Sequence, residues 1–124
     1  MEIIATEKAP EALGPYSQAY VHAGILYSAG QLGIVPETGE LASDTIEGQT
    51  EQACKNIEEV LKEAGTDFSH VLKTTCLLAD IADFGAFNEV YAKYFVSKPA
   101  RSCFAVKEIP KGALCEIEVI AAVK

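Results

Sequence analysis

Two stretches of this chain, ILYSAGQL (residues 25–32) and EVIAAV (residues 118–123), read as strands that are apolar on both faces. Successive side chains of a strand point to opposite sides of its sheet, so such strands need apolar cover above and below. At 124 residues the chain is long enough for one hydrophobic core. A second covering layer must come from elsewhere, and in a chain this short the economical source is further copies of itself.

The rest of the pattern supplies one layer. From Asp44 the apolar period changes from strand-like to helical, with Ile46, Thr50, Ala53, Ile57, Val60, Leu61 and Ala64 falling at steps of three and four. Asp44 and Glu47 have capping-box spacing with Asp44 in the cap role, and Gly65 stands where a helix C-terminal glycine belongs. An amphipathic helix of about five turns is expected there. A second helix is expected from Asp83, with Phe84, Phe87, Tyr91, Tyr94 and Phe95 on one stripe and Asn88 among them. Extended segments are read at EIIAT, QAYVHA, ILYSAGQL, VLKTTCLLAD, RSCFAV and LCEIEVIAAV, with turn chemistry in VPETGEL and KEIPKGA. The expectation is an α+β fold, a single domain over residues 1–124, in which two helices pack on one face of a mostly antiparallel six-stranded sheet.

Charge and motifs narrow the function. Lys plus Arg number 10 against 18 for Asp plus Glu, a net charge of −8, and no basic cluster gathers the cations. Such a chain repels phosphate backbones, so nucleic acid is disfavoured as a partner. Cys54, Cys76, Cys103 and Cys115 lack C-x-x-C spacing, and His22 and His70 lie far from any paired ligand motif, so no metal site is expected. Nucleotide and phosphate loops and the serine elbow are absent, and no cofactor is implied. No apolar run is long enough for a membrane span, and the first residues lack the pattern of a signal peptide, so a cytoplasmic location is the default expectation.

Four positions carry polarity where the pattern asks for apolar groups. Arg101 opens the strand RSCFAV, where alternation sets Arg101, Cys103 and Ala105 on one face and Ser102, Phe104 and Val106 on the other. A guanidinium in a core strand is a planar fork for a carboxylate, against the plainer reading of a strand-end arginine reaching solvent. Glu116 and Glu118 share a strand face, which fits either a solvated edge or an acid/base site. Asn88 needs hydrogen-bond partners if buried, and Tyr16 stands on a loop after Gly14-Pro15, where it is surface packing or a pocket lid. Strand register is not readable, so whether Arg101 and Glu116 meet stays open.

These residues carry a resemblance. GPYSQA (14–19), SAGQ (28–31), ETGE (37–40), NIEEVLKEAG (56–65), KTT (73–75), DFGAFNEVYAKYF (83–95), PARSC (99–103) and IPKGALCEIEVIA (109–121) together resemble the Rid family, the RidA-type imine deaminases also called the YjgF family. The similarity runs from about Ile4 to Val123. It implies a chorismate-mutase-like fold assembled as a homotrimer with ligand sites between subunits. It further implies Arg101 as the clamp on the carboxylate of a small 2-imino acid and Glu116 as the group that orients or activates water. Tyr16, Gly30, Asn88 and Cys103 are implied as lining. The family's usual serine before the glycine is Ala29 here, with Ser28 one residue earlier and facing the other way.

The implied activity is hydrolysis of 2-iminopropanoate and 2-iminobutanoate to 2-oxo acids and ammonia, clearing products of pyridoxal-phosphate enzymes. RNA cleavage with inhibition of translation, and a non-catalytic module that binds 2-oxo acids, are the rival readings. Charge opposes the first. Retention of both Arg101 and Glu116 opposes the second.

Overall fold

The computed structural model describes all 124 residues, Met1–Lys124. Nine strands occur in chain order: β1 (Glu2–Ile4), β2 (Ala19–His22), β3 (Ile25–Ser28), β4 (Gln31–Leu32), β5 (Ile34–Val35), β6 (Glu40–Leu41), β7 (Val71–Leu78), β8 (Ala100–Ala105) and β9 (Cys115–Ala122). Helix α1 spans Ile46–Glu63 and α2 spans Phe84–Tyr94. The main sheet runs β1-β2-β3-β9-β7-β8, with β4 also on β9, and β5 and β6 form a separate hairpin. All its pairings are antiparallel except β7 with β8, which are parallel and joined through α2. The expected α+β architecture is therefore found, with more and shorter strands. ILYSAGQL is not one strand but two, β3 and β4, parted at Ala29-Gly30.

Helix α1 forms where the period predicts it, with one correction at its start. The cap is Thr45, not Asp44: Thr45 has extended backbone (φ −107°, ψ 151°) and its side chain accepts from the Gly48 N–H. Ser43 in turn bonds the Thr45 hydroxyl. At the other end the Gly65 N–H donates to the Lys62 carbonyl and the Thr66 N–H to the Leu61 carbonyl, with Gly65 at φ +77°. This is the Schellman closure, which a residue without Cβ enters at no steric cost.

Both helices lie on one face of the sheet. Their stripes meet Leu26, Val71, Cys76, Leu78, Cys115, Ile117, Val119 and Ala121 in one core of 21 buried residues. In β9 the pattern is strict, with Cys115, Ile117, Val119 and Ala121 buried and Glu116 and Glu118 on the opposite face. Two amides in α1 act as struts to the rest of the chain. Asn56 Nδ2 donates to the Leu32 and Ile34 carbonyls at 3.1 and 2.8 Å. Gln49 donates to the Ser43 carbonyl and accepts from the Leu114 N–H at 2.7 Å. The segments before β5 and before β9 are thereby fixed against one helix. No helix is long and apolar enough to cross a membrane.

The other face has no helix on it. Tyr20 and Tyr27 stand opposite each other on β2 and β3, and Tyr27 opposite Ile120 on β9; Tyr27 is 48% exposed and Phe104 on β8 47%. This corrects the reading of RSCFAV as a core strand. β8 is an edge strand, its Phe104 face is open, and the face carrying Arg101 and Cys103 is the one turned toward the helices.

Candidate functional site

The break between β3 and β4 builds the first polar cluster. Both strands pair with β9, but the chain leaves it between Tyr27 and Gln31, so Glu118 and Val119 have a strand partner on the β7 side only. Ser28 repairs this. Its hydroxyl accepts from the Val119 N–H at 2.9 Å and donates to the Ala29 carbonyl at 2.9 Å. Ser28 is thus committed to backbone and does not stand in for a hydroxyl at position 29. Gly30 comes to lie beneath Glu116, so close that a Cβ there would collide with the Glu116 carboxylate. A side chain at position 30 would push the Glu116 carboxylate from its place.

Glu116 faces a cleft of about 730 Å³ whose walls include Leu13, Tyr16, Gly30, Leu32, Lys111 and Glu116 itself. Tyr16 is 56% exposed on its loop, held by a Tyr16 N–H to Gly14 carbonyl bond of 2.8 Å. Lys111, with left-handed backbone (φ 62°), reaches across the cleft wall to the Gly39 carbonyl at the tip of the β5–β6 hairpin, 3.2 Å away. Burial raises the Glu116 carboxyl above its ordinary value, and the charge of Glu118 on the same face adds to the rise. A carboxyl so shifted is closer to the working pH of an acid/base group.

The second cluster lies on the helix side at the β8 edge. Arg101 is in register with Thr74 of β7, and Cys103 with Cys76. The Arg101 Nη1 donates to the Asn88 Oδ1 at 2.7 Å. The guanidinium carbon stands 5.4 Å from the Phe84 ring centre and 4.8 Å from that of Tyr91. The Tyr91 hydroxyl shares a 2.7 Å hydrogen bond with the Thr74 hydroxyl, and burial pushes the phenol up to about 12, keeping it neutral. Arg101 forms no ion pair; the lysine–carboxylate pairs in the chain belong to Lys62 and Lys124. Burial also raises the Cys103 thiol, partly opposed by the Arg101 charge. A raised thiol is a poor nucleophile, which suits a wall residue better than a reactive one.

The six residues singled out from sequence therefore fall into two sets. Tyr16, Gly30 and Glu116 share the cleft on the helix-free face. Asn88, Arg101 and Cys103 share the helix-side edge. Arg101 and Glu116 do not meet within one chain: Arg101 pairs with buried Thr74, whereas Glu116 pairs with Leu77, which is out of phase with buried Cys76 and Leu78. The sheet stands between them. Sequence reading missed Ser28, Gln49, Asn56 and Thr74 as supports. Gln49 and Asn56 did leave a signal, since both fall at helical spacing inside the apolar stripe of α1.

The family model described as Endoribonuclease L-PSP matches residues 6–123. The chain belongs to the Rid family. Among its relatives, Reactive Intermediate Deaminase A of Arabidopsis thaliana is 53% identical over 97% of this chain, which spans 65% of that longer protein. Human 2-iminobutanoate/2-iminopropanoate deaminase is 49% identical over 96% of this Rid chain and 88% of its own. The solved structure of the Rid family protein YyfA from Yersinia pestis, 49% identical, superposes with a TM-score of 0.95 over 98% of each chain.

Proposed function

We propose that this Rid protein hydrolyses small 2-imino acids, 2-iminopropanoate and 2-iminobutanoate among them, to 2-oxo acids and ammonia, clearing reactive products of pyridoxal-phosphate enzymes. The observation that carries the reading is Arg101: a half-buried cation held by an amide and two rings, with no anion of its own chain beside it. A cation so placed suits an incoming carboxylate, which takes the free edge of the guanidinium through paired bonds. Relatives at 53% and 49% identity bearing deaminase names support the same chemistry.

The site is completed between copies, in a homotrimer, by bringing the Arg101 edge of one chain to the Glu116 cleft of another. The carboxylate binds Arg101, with Asn88 and Cys103 beside it. Tyr16 and the backbone at Gly30 close the opposite wall. Water held by Glu116 adds through oxygen to the imine carbon as the C=N electron pair moves to nitrogen. Glu116 takes one proton from that water and returns it to nitrogen. Glu116 then carries the carbinolamine's hydroxyl proton to the amino group, the oxygen lone pair forms C=O, the C–N bond breaks, and ammonia leaves the 2-oxo acid. Positioning two reactants can lower such a barrier by several kcal/mol, roughly 7–11 at best. One acid/base group adds about 10²–10⁴-fold.

The test is a threonine dehydratase assay with semicarbazide trapping the free imine, comparing the wild type with Arg101→Ala and Glu116→Ala. Only the wild type should lower the trapped fraction and speed 2-oxobutanoate release. If no protein has any effect, the pocket binds without catalysis. The family model's description makes RNA cleavage a second reading. A net charge of −8 and a cleft lined by neither His22 nor His70 weigh against it. RNA affinity that falls steeply with salt would favour it instead.

A further inference from the structure

Arg101 has only one side-chain hydrogen bond, to Asn88, yet a carboxylate clamp is useful only if its fork is already aimed. What else holds it is on α2. Phe84, Asn88 and Tyr91 occupy positions i, i+4 and i+7, one face of the helix over two turns. Seven residues rise about 10.5 Å along a helix, which leaves a slot between the first and last side chains for one flat group. The guanidinium fills that slot, 5.4 Å from one ring centre and 4.8 Å from the other, with the Asn88 carbonyl oxygen at its side. Tyr91 is itself fixed, buried and tied through its hydroxyl to Thr74, the β7 residue in register with Arg101. Phe84 is different. It is 37% exposed, with its ring at the slot's outer wall. Phe84 is not among the buried core residues, and its ring lies 5.4 Å from the guanidinium carbon.

We infer that Phe84 is a positioning residue for substrate binding: with Tyr91 it holds the Arg101 guanidinium between two aromatic faces, leaving the edge away from Asn88 aimed at the carboxylate. The ring acts through Arg101 rather than on the reacting atoms. It supplies cation–π attraction and removes the rotamer freedom that a long side chain otherwise loses on binding. The inference rests on the proposed role of Arg101 as the clamp. It assigns to α2 a function in recognition beyond the contact made by Asn88.

Phe84→Leu keeps an apolar side chain on an exposed helix position and removes the ring, so folding is not at stake. Cation–π contacts between exposed and desolvated limits correspond to about two- to thirty-fold in binding. KM for 2-iminobutanoate and Kd for 2-oxobutanoate should rise within that range, with kcat within about two-fold of wild type. Phe84→Tyr, which restores a ring, should return both constants. A second readout is independent of activity: the Arg101 Nε–Hε signal in ¹⁵N-relaxation NMR should be rigid in wild type and Phe84→Tyr and mobile in Phe84→Leu. Unchanged KM, Kd and Arg101 mobility in Phe84→Leu overturn the inference, as does failure of Phe84→Tyr to rescue. Should Arg101→Ala retain wild-type activity, the clamp reading fails and this inference falls with it as a statement about substrate, while the NMR comparison still decides whether the rings hold the guanidinium.

Discussion

The two faces of the sheet are built from the same strands and have opposite fates. On the helix side, Leu26, Cys76, Leu78, Cys115 and Ile117 are sealed under α1 and α2 with none of their surface exposed. On the other side Tyr27 and Phe104 stand about half exposed, with Tyr20 beside Tyr27 and Ile3 opposite Tyr20. Apolar patches of this kind mark surfaces that meet something else. The catalytic candidates divide in the same way, Arg101 on the closed side and Glu116 on the open side. One chain thus has an uncovered apolar face and, on the proposed function, an incomplete site, and the proposal is that a second copy set against the open face supplies what both lack.

The difference can be broken from either side. Arg101→Ala and Glu116→Ala should each cost activity by at least about 10²-fold while leaving assembly intact, checked by the dehydratase assay and by sedimentation. On the closed face, Leu61→Ala removes a fully buried side chain and should lower the unfolding free energy by about 2–5 kcal/mol in urea titration, with activity per folded molecule retained. On the open face, Tyr27→Lys should do the reverse, leaving the chain folded but shifting it to smaller species and weakening the concentration dependence that assembly gives the wild-type Tm. Activity should fall with assembly. Thr45→Ala, far from both faces, should cost only about 1 kcal/mol through loss of the cap to Gly48.

The pH dependence sharpens the role of Glu116. Burial disfavours its ionised form, so its folded-state value is raised. A group of this kind favours folding below its unfolded value, and that contribution is lost as pH rises through the folded value. Glu116→Gln should therefore be relatively more stable than wild type at neutral pH, with the advantage vanishing in acid. For catalysis the carboxylate is the competent form. The acid limb of kcat/KM in the wild type should lie above the ordinary carboxylate range, and it should be absent from the residual activity of Glu116→Gln.

Much of this was legible from residue order. The period of α1, the glycine that closes it and the strict alternation of β9 are local properties, written within a few residues of each other. The cap was misread by one position because Asp44 and Thr45 can both cap, and only the backbone conformation at Thr45 decides between them. The break at Ala29-Gly30 was hidden because Ser28 supplies the strand's missing bond through a contact 91 residues away. The division of Arg101 from Glu116 was beyond reach for the same reason. It depends on β7 lying between β8 and β9, and on registers that no local pattern encodes.

The claim that two chains share each site is tested most directly by mixing the two inactive variants. Arg101→Ala and Glu116→Ala are unfolded together in equal amounts, refolded, and assayed for imine hydrolysis against each variant refolded alone. If every site takes its arginine from one chain and its glutamate from another, random assembly leaves half of each partner intact, and about a quarter of wild-type activity returns. If one chain supplies both groups, the mixture stays as inactive as its components, and the account of a shared site is wrong.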